Sequence, residues 1–518
     1  MSGYHRIVFT SLGVFDPKIE ELASRARRDV KRGNVSRNLH FYIHKKNMTL
    51  PVATSSVVIP IKARVSRRFA VARKPWPVFH LSSWIKTAME TKPFEGFFLL
   101  AGMKLDKLAQ AEGALELFWS RYKAVDPNTP DYPRRTLPFY IHGDEGRSQV
   151  KRPVLIISFQ GLMSWAGSDK DGLPWVSSMD LRNTLTTRML YTLLPSENYA
   201  PNGASTQALM AELVKDCNKL YTEGIDVSWN GQRLKFYARF CGVKGDWPWL
   251  RTCYKLSTGF TSKRICHECP SNDWTDLSRS GSTRSWPRNG VAPSPFKPGR
   301  RAAIRNMLPS GGHRTIRIDI AHTYAIAGWG KDQLASLLVL CAVRANLWGR
   351  AGYEEQLRRA FESFQEWCQV HSKTSTVLDF SKKELKISSL QSFPRGLGKG
   401  SDAALVGGWL ESVLTPVDPQ TVPEECRDMI IVAKWGIAAT GRFFRIIYSG
   451  ELWLTRAQAQ AAVCSGFNMI ESYGALARLA RLQKWRLFYM RPKVHMNQHV
   501  LFLGSGLCFL GCSLYHAH

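Results

Sequence analysis

Two cysteines three residues apart, Cys266 and Cys269 in SKRICHECP, supply half of a tetrahedral metal site. His495 and His499 in VHMNQHV offer the other half, because residues four apart on a helix share a face and both imidazoles can point at one ion. Two thiolates and two imidazoles close the coordination shell and leave no position for water, so the expected ion is structural Zn2+. The 226 positions between Cys269 and His495 rule out a compact zinc finger. The site would instead clip a distant part of the chain back to the cysteines.

A second chemistry is carried by carboxylates. Asp144 in FYIHGDEGR and Asp246 in RFCGVKGDWPWL each follow a run of aromatic and aliphatic residues and stand at an expected strand end. Carboxylates at the ends of neighbouring strands can hold Mg2+ for phosphoryl transfer. Each also lies beside a glycine and suits a turn, and Glu145 is either a substitute ligand or a solvated neighbour. Asp319 and His322, in RIDIAHTY, read as a helix N-cap with its partner or as a further polar contact near a site. Phosphate-binding lysine loops, nucleophile elbows, HExxH helices and dinucleotide fingerprints are absent from the sequence.

Charge points to the partner. The 518 residues carry 71 Lys and Arg against 41 Asp and Glu, a formal +30 with a pI near 9.9. Residues 1–80 hold 16 of the basic side chains and 4 of the acidic ones. Clusters at Arg27, Arg28, Lys31 and Arg32, and at Arg67 and Arg68, would attract a polyanion and release its counterions. A nucleic acid is therefore the expected partner, over an acidic membrane surface or a merely soluble, solvated basic face. The odd cysteine count of 11 and the lack of a long apolar run at Met1–Thr10 fit reduced thiols inside the cell. Val500–Tyr515 is uncharged but short and broken by glycines, so no membrane partner is expected.

The elements that must position these residues follow from hydrophobic periodicity. A basic region, 1–80, mixes helical and β-branched patches, and a helical pattern runs from Trp76 to Val125 within a lead-in that extends over 81–134. Strands are expected at Leu137–Ile141, Pro153–Phe159 and Arg233–Val243, with helices around Asp180–Leu194 and Thr206–Tyr221. Residues 271–318, rich in Ser, Arg, Gly and Pro, read as a flexible loop, and 319–490 as an all-helical block. The fold class is thus α/β (α+β), with strands and interleaved helices in 135–270, a helical block, and the histidine pair in 491–518.

In combination these residues resemble the DDE transposases, most nearly the CACTA and Plavaka-like group, whose organisation is shared by the core of the V(D)J recombinase. Asp144 matches the family's first aspartate, and Asp246, 102 residues on, the second. Cys266 and Cys269 follow 20 and 23 residues later, and His495 and His499 match the histidines that complete the family's zinc site. IDIAHTY is similar to its Asp-x-x-His segment and RPKVHMNQH to its Lys-Pro-x-x-His segment. The resemblance covers about 135–499. It implies an RNase H-like mixed sheet interrupted by a helical insertion domain, Mg2+-dependent cleavage and strand transfer at transposon ends, a nuclear location, and compatibility with a homo-oligomer.

One departure matters. The family places a catalytic glutamate shortly after the histidine pair, whereas the 19 residues after His499 contain no Asp or Glu, and Glu471 is the last acidic residue of the sequence. LGSGLCFLGCSLYHAH reads as unrelated tail sequence. The expectation is a crippled or inactive catalyst, with a non-catalytic, zinc-stabilised DNA-binding protein as the competing reading.

Overall fold

The structure, a computed structural model, describes residues 52–507 except 66–67, 93, 98, 148–152, 164–187, 261, 263, 270–293, 298–300, 327, 390–391 and 450–453. Arg27, Arg28, Lys31, Arg32 and Arg67 lie outside the described residues. The first described elements are a hairpin, β1 (Ser55–Val65) and β2 (Arg68–Val78), followed by helices α1 (Leu81–Glu90) and α2 (Leu108–Tyr122). Arg68 opens β2. Trp76–Val78, expected to begin a helical stretch, instead end this strand, because their alternation lets them pair with Ser55–Val57.

Strands β3 (Thr136–Arg147), β4 (Pro153–Gly161) and β5 (Arg188–Pro195) come next, then helix α3 (Ala204–Thr222), strands β6 (Ile225–Trp229) and β7 (Gln232–Gly245), and helix α4 (Trp247–Tyr254). A three-residue strand, β8 (Ile316–Ile318), completes a mixed sheet. Its order is β5-β4-β3-β7, and β7 continues to β6 and β8. β3 runs parallel to β7 and β7 parallel to β8, while β4 is antiparallel to both β3 and β5, and β6 is antiparallel to β7.

The expected strands at Leu137–Ile141, Pro153–Phe159 and Arg233–Val243 are all present and run longer than expected. The helix expected around Asp180–Leu194 is corrected in its described part: Arg188–Leu194 is strand, because Met189, Tyr191 and Leu194 bury while the backbone pairs with β4. Residues 303–318, within the stretch expected to be a flexible loop, contain two 3-10 turns, the buried Ile304 and Met307, and β8.

Central position explains the composition of β3 and β7. Both are covered on both faces, so apolar residues run almost without alternation. β3 stays buried through Gly143 and emerges at Asp144; β7 stays buried through Gly245 and emerges at Asp246. The hairpin packs beside this sheet, with Ile59 and Ile61 buried and the Trp76 Nε1 donating to Leu193 O at 3.0 Å.

The remaining helices are α5 (Trp329–Val339), α6 (Tyr353–Val370), α7 (Asp402–Leu414), α8 (Glu424–Ser449), α9 (Arg456–Leu482) and α10 (Pro492–Leu507). α5 is buried nearly all round, including Asp332, Gln333 and Ser336, which marks it as the central helix of this part. Three of its polar side chains are answered: Arg491 Nη2 donates to Asp332 Oδ1 at 2.8 Å, Tyr324 Oη donates to Gln333 Oε1 at 3.0 Å, and Ser336 Oγ accepts from Phe488 N at 2.8 Å. Among the described residues no helix is long and apolar enough to cross a membrane.

Candidate functional site

The four metal-ligand candidates converge. Cys266 and Cys269 follow α4, and His495 and His499 lie one turn apart on α10; all four are buried, and their donor atoms lie within 4.8 Å of one another. Cys266 Sγ is 3.1 Å from His499 Nε2, Cys269 Sγ is 3.2 Å from His495 Nε2, and the two Nε2 atoms are 3.1 Å apart. Around a tetrahedral zinc ion, with bonds of about 2.0–2.3 Å, donors stand roughly 3.3–3.8 Å apart, so this set fits an ion after a small outward adjustment. A buried group of this kind could hold a metal ion such as zinc. Burial pushes the Cys266 thiol up, while the hydrogen bond from Cys266 and those from the two imidazoles pull Cys269 down.

The two aspartates also come together. Gly143 pairs with Gly245 across the parallel β3–β7 ladder, and Gly245 pairs with Ile318 across β7–β8. Asp144, Asp246 and Asp319 are each the next residue, so three aspartates stand side by side where the three parallel strands stop pairing with one another. They line one cavity of about 1230 Å³, together with His322, Arg491 and Lys493.

Two glycines make this tip possible. The indole of Trp249 lies against both strands, and a Cβ on Gly143 would fall 2.2 Å from its Cε2. Gly245 has φ of +143°, and a Cβ there would fall 2.0 Å from Gly143 O. Trp249 in turn fixes Asp246, whose Oδ1 accepts the Trp249 backbone N–H at 2.8 Å as the N-cap of α4.

The three aspartates are not equivalent. Asp319 Oδ1 accepts from Ala321 N at 2.9 Å and its Oδ2 lies 2.9 Å from His322 Nδ1, so it caps and orients at once. His322 then presents Nε2 3.8 Å from Asp144 Oδ2. Burial lowers the His322 pKa, but the hydrogen bond and charge of Asp319, with the charges of Asp144 and Asp246, outweigh it and raise the group above its usual value. Burial raises Asp246, and the neighbouring Asp144 charge adds to it. Lys493 is pushed down to about 8, chiefly by burial. Carboxylates crowded in this way favour a cation.

Glu145, next to Asp144, lines the same cavity and accepts from Tyr199 Oη at 2.9 Å. Glu471 does not reach this cavity; it lines a separate groove between α8 and α9 with Trp435 and Arg442. Sequence reasoning left Asp319 and His322 between a cap and a site contact, and the structure gives them both roles. It assigned nothing to Arg188, whose charge interacts with Asp319 and Asp144, or to Lys493, although Lys493 lies only two positions before His495. No family model matches the chain, and no curated protein matches it significantly.

Proposed function

We propose that this chain is a transposase-like DNA-binding protein of the DDE class, built on an RNase H-like core with a helical insertion domain and acting on nuclear DNA. The observation that carries the reading is the placement of Asp144 and Asp246 at adjacent positions on neighbouring parallel strands. The strand order, with β4 the antiparallel member between β3 and β5, and the Cys266, Cys269, His495 and His499 cluster both support it.

Asp144 and Asp246 would hold the divalent cation, Mg2+ in this reading, and the cluster would hold zinc. A cation there would polarise a phosphate oxygen and supply a nucleophilic water at neutral pH. The chain's own groups set the stage: Asp319 fixes the His322 ring, His322 sits beside Asp144, and Trp249 seals the sheet face under both aspartates. Asp319 has both oxygens engaged within the protein, and Glu145, at the cavity wall, gives Oε1 to Tyr199, so neither stands as a dedicated third metal carboxylate. With two metal-holding carboxylates the 518 residues bind DNA and a cation but do not complete cleavage.

The test uses labelled duplex DNA with Mg2+ or Mn2+. Salt-dependent binding without nicking is expected, and Asp144→Asn with Asp246→Asn should abolish Mn2+ binding while leaving DNA affinity within a few-fold. Absence of nucleic-acid binding at low salt refutes the reading. Nicking lost in the double variant would restore this chain to the active enzymes and refute the inactive assignment.

A further inference from the structure

The carboxylate cavity has a second group of charges, of the opposite sign. Arg251, Lys255 and Lys297 line it together with Asp144, Asp246 and Asp319. Helix α4 sets the distance between the two groups. Asp246 is its N-cap and Lys255 its C-cap, nine positions on, which at about 1.5 Å per residue places them roughly 13 Å apart. The sequence around the basic group is free of acids. Residues 247–267 contain four Lys or Arg and no Asp or Glu, and residues 277–318 contain nine and none. The backbone brings the two stretches together: Leu256 and Phe296 form an antiparallel bridge, and Lys297 N donates to Lys255 O at 2.9 Å.

Lys255 and Lys297 thus stand opposite one another across the bridge, and Arg251 stands four residues before Lys255. Like charges are unfavourable in both arrangements, across paired strands and four apart along a helix. Among the described residues no carboxylate offsets them. Lys255 Nζ donates to a neutral acceptor, Arg301 O, at 3.2 Å, and the side chains of Arg251 and Lys297 make no hydrogen bond or ion pair there. Arg251 Nε is buried without a partner, and its guanidinium lies against Gly259, where an added Cβ would fall 2.9 Å from Cζ. The helix dipole accounts for one cation at the end of α4, not for three. Lys255 also holds φ of +51°, a left-handed value that glycine adopts at lower cost where a helix ends. The position therefore keeps its side chain at the expense of its backbone.

We propose that Arg251, Lys255 and Lys297 form an anion site for backbone phosphates of the nucleic acid held, through a cation, at Asp144 and Asp246. The proposal rests on the DNA-binding reading given above and adds the path of the strand, which follows the length of α4. Phosphates recur about every 3.4 Å along one strand of a duplex, so the basic group meets the strand about four steps from the aspartates. One polyanion then satisfies both ends of the cavity. Phosphate contacts carry no base information, so this end positions the strand without reading its sequence.

Fluorescence anisotropy of a labelled duplex, titrated at several salt concentrations, tests this on the full chain. Lys255→Gln and Lys297→Gln should each reduce the log–log salt slope by about 1, and together by about 2, equally for unrelated sequences. Arginine at both positions should keep the wild-type slope. Lys373→Gln, at an exposed lysine outside the cavity, should keep it too. The double glutamine variant should melt at or above the wild-type temperature, because two opposed like charges are gone. An unchanged slope in that variant, with wild-type binding intact, overturns the inference and leaves the DNA reading standing. A slope loss that comes with a lower melting temperature, or that Lys373→Gln reproduces, also overturns it. Displacement of the duplex by millimolar inorganic phosphate at fixed ionic strength, abolished in the double variant, assigns the group to a small free anion and overturns the strand path. Absence of binding by wild type removes the DNA reading and this inference with it.

Discussion

Replacing Gly143 by alanine perturbs the candidate site through one contact. The added Cβ would stand 2.2 Å from Trp249 Cε2, 2.4 Å from Cδ2 and 2.6 Å from Cζ2. Carbon atoms settle at roughly 3.5–4.0 Å, so the indole must retreat by more than about 1 Å. It has little room, being only 3% exposed and packed against Gly245 on its other edge. Overpacking of this kind costs about 1–3 kcal/mol. The backbone N–H of Trp249 caps Asp246, and disturbing that cap adds about 1 kcal/mol. Gly143→Ala should therefore lower stability by about 2–4 kcal/mol in urea titrations and weaken Mn2+ binding, because Asp246 shifts with the start of α4. Gly146→Ala is the control on the same strand: its Cβ would meet only Ile156 Cδ1, at 3.4 Å, and should change stability by less than about 1 kcal/mol. If both variants unfold alike and bind Mn2+ alike, Trp249 does not fix the aspartates and the account of the strand tips is wrong.

Two further outcomes follow from other parts of the molecule. Cys266→Ser or His499→Ala should lose one equivalent of zinc and lower stability together, read by metal analysis and thermal melts on the same samples; zinc retained at the wild-type level in either variant rules out the four-ligand site. Asp402, buried at the start of α7, accepts from Thr376 Oγ1 at 2.5 Å and from Ser375 Oγ, Thr376 N and Lys399 N, each at 2.8 Å; burial raises its pKa, but these hydrogen bonds, that of the Thr376 hydroxyl first, outweigh it and hold the carboxyl below its usual value. Its stabilisation is thus present above the unfolded value of 3.8 and is lost as pH falls through the lower folded value. Asp402→Asn should cost about 1–3 kcal/mol at pH 7, since an amide offers one acceptor oxygen to these donors, and the cost should shrink in urea melts as pH falls below about 4.

The parts of the site legible in the sequence are those whose residue types alone restrict the chemistry. Cys266, Cys269, His495 and His499 declare a metal set by identity and local spacing, and folding had only to bring two short segments together. Asp144 and Asp246 were legible because each ends a long apolar run, and a strand segment buried on both faces gives way to a carboxylate only where it comes out of that burial. Arg188–Pro195 was misread because RMLYTLLP is leucine-rich and spaced well enough for a helix; pairing with β4 decides it, and that partner is not encoded locally. Trp249 against Gly143 is a contact between residues far apart in sequence, invisible to any periodicity. Lys493 was overlooked for the opposite reason: beside two metal-ligand histidines, a lone lysine in a chain of +30 carries no signal of its own.

His495 follows Cys269 by 226 positions, and that distance sets an order of events in time. At about 5–20 residues per second, synthesis delivers the cysteine pair roughly 10–45 s before the histidines that complete its coordination. During that interval two thiols have no imidazole partners and are open to oxidation or to a wrong metal. The clip also cannot close until the intervening helices have folded far enough to present α10. Closing a loop of this length corresponds to roughly 5 kcal/mol of chain entropy in the cross-link model. Uptake of a metal such as zinc by these four residues would therefore be a late step, and its rate would report the folding of the helical half rather than encounter with the ion.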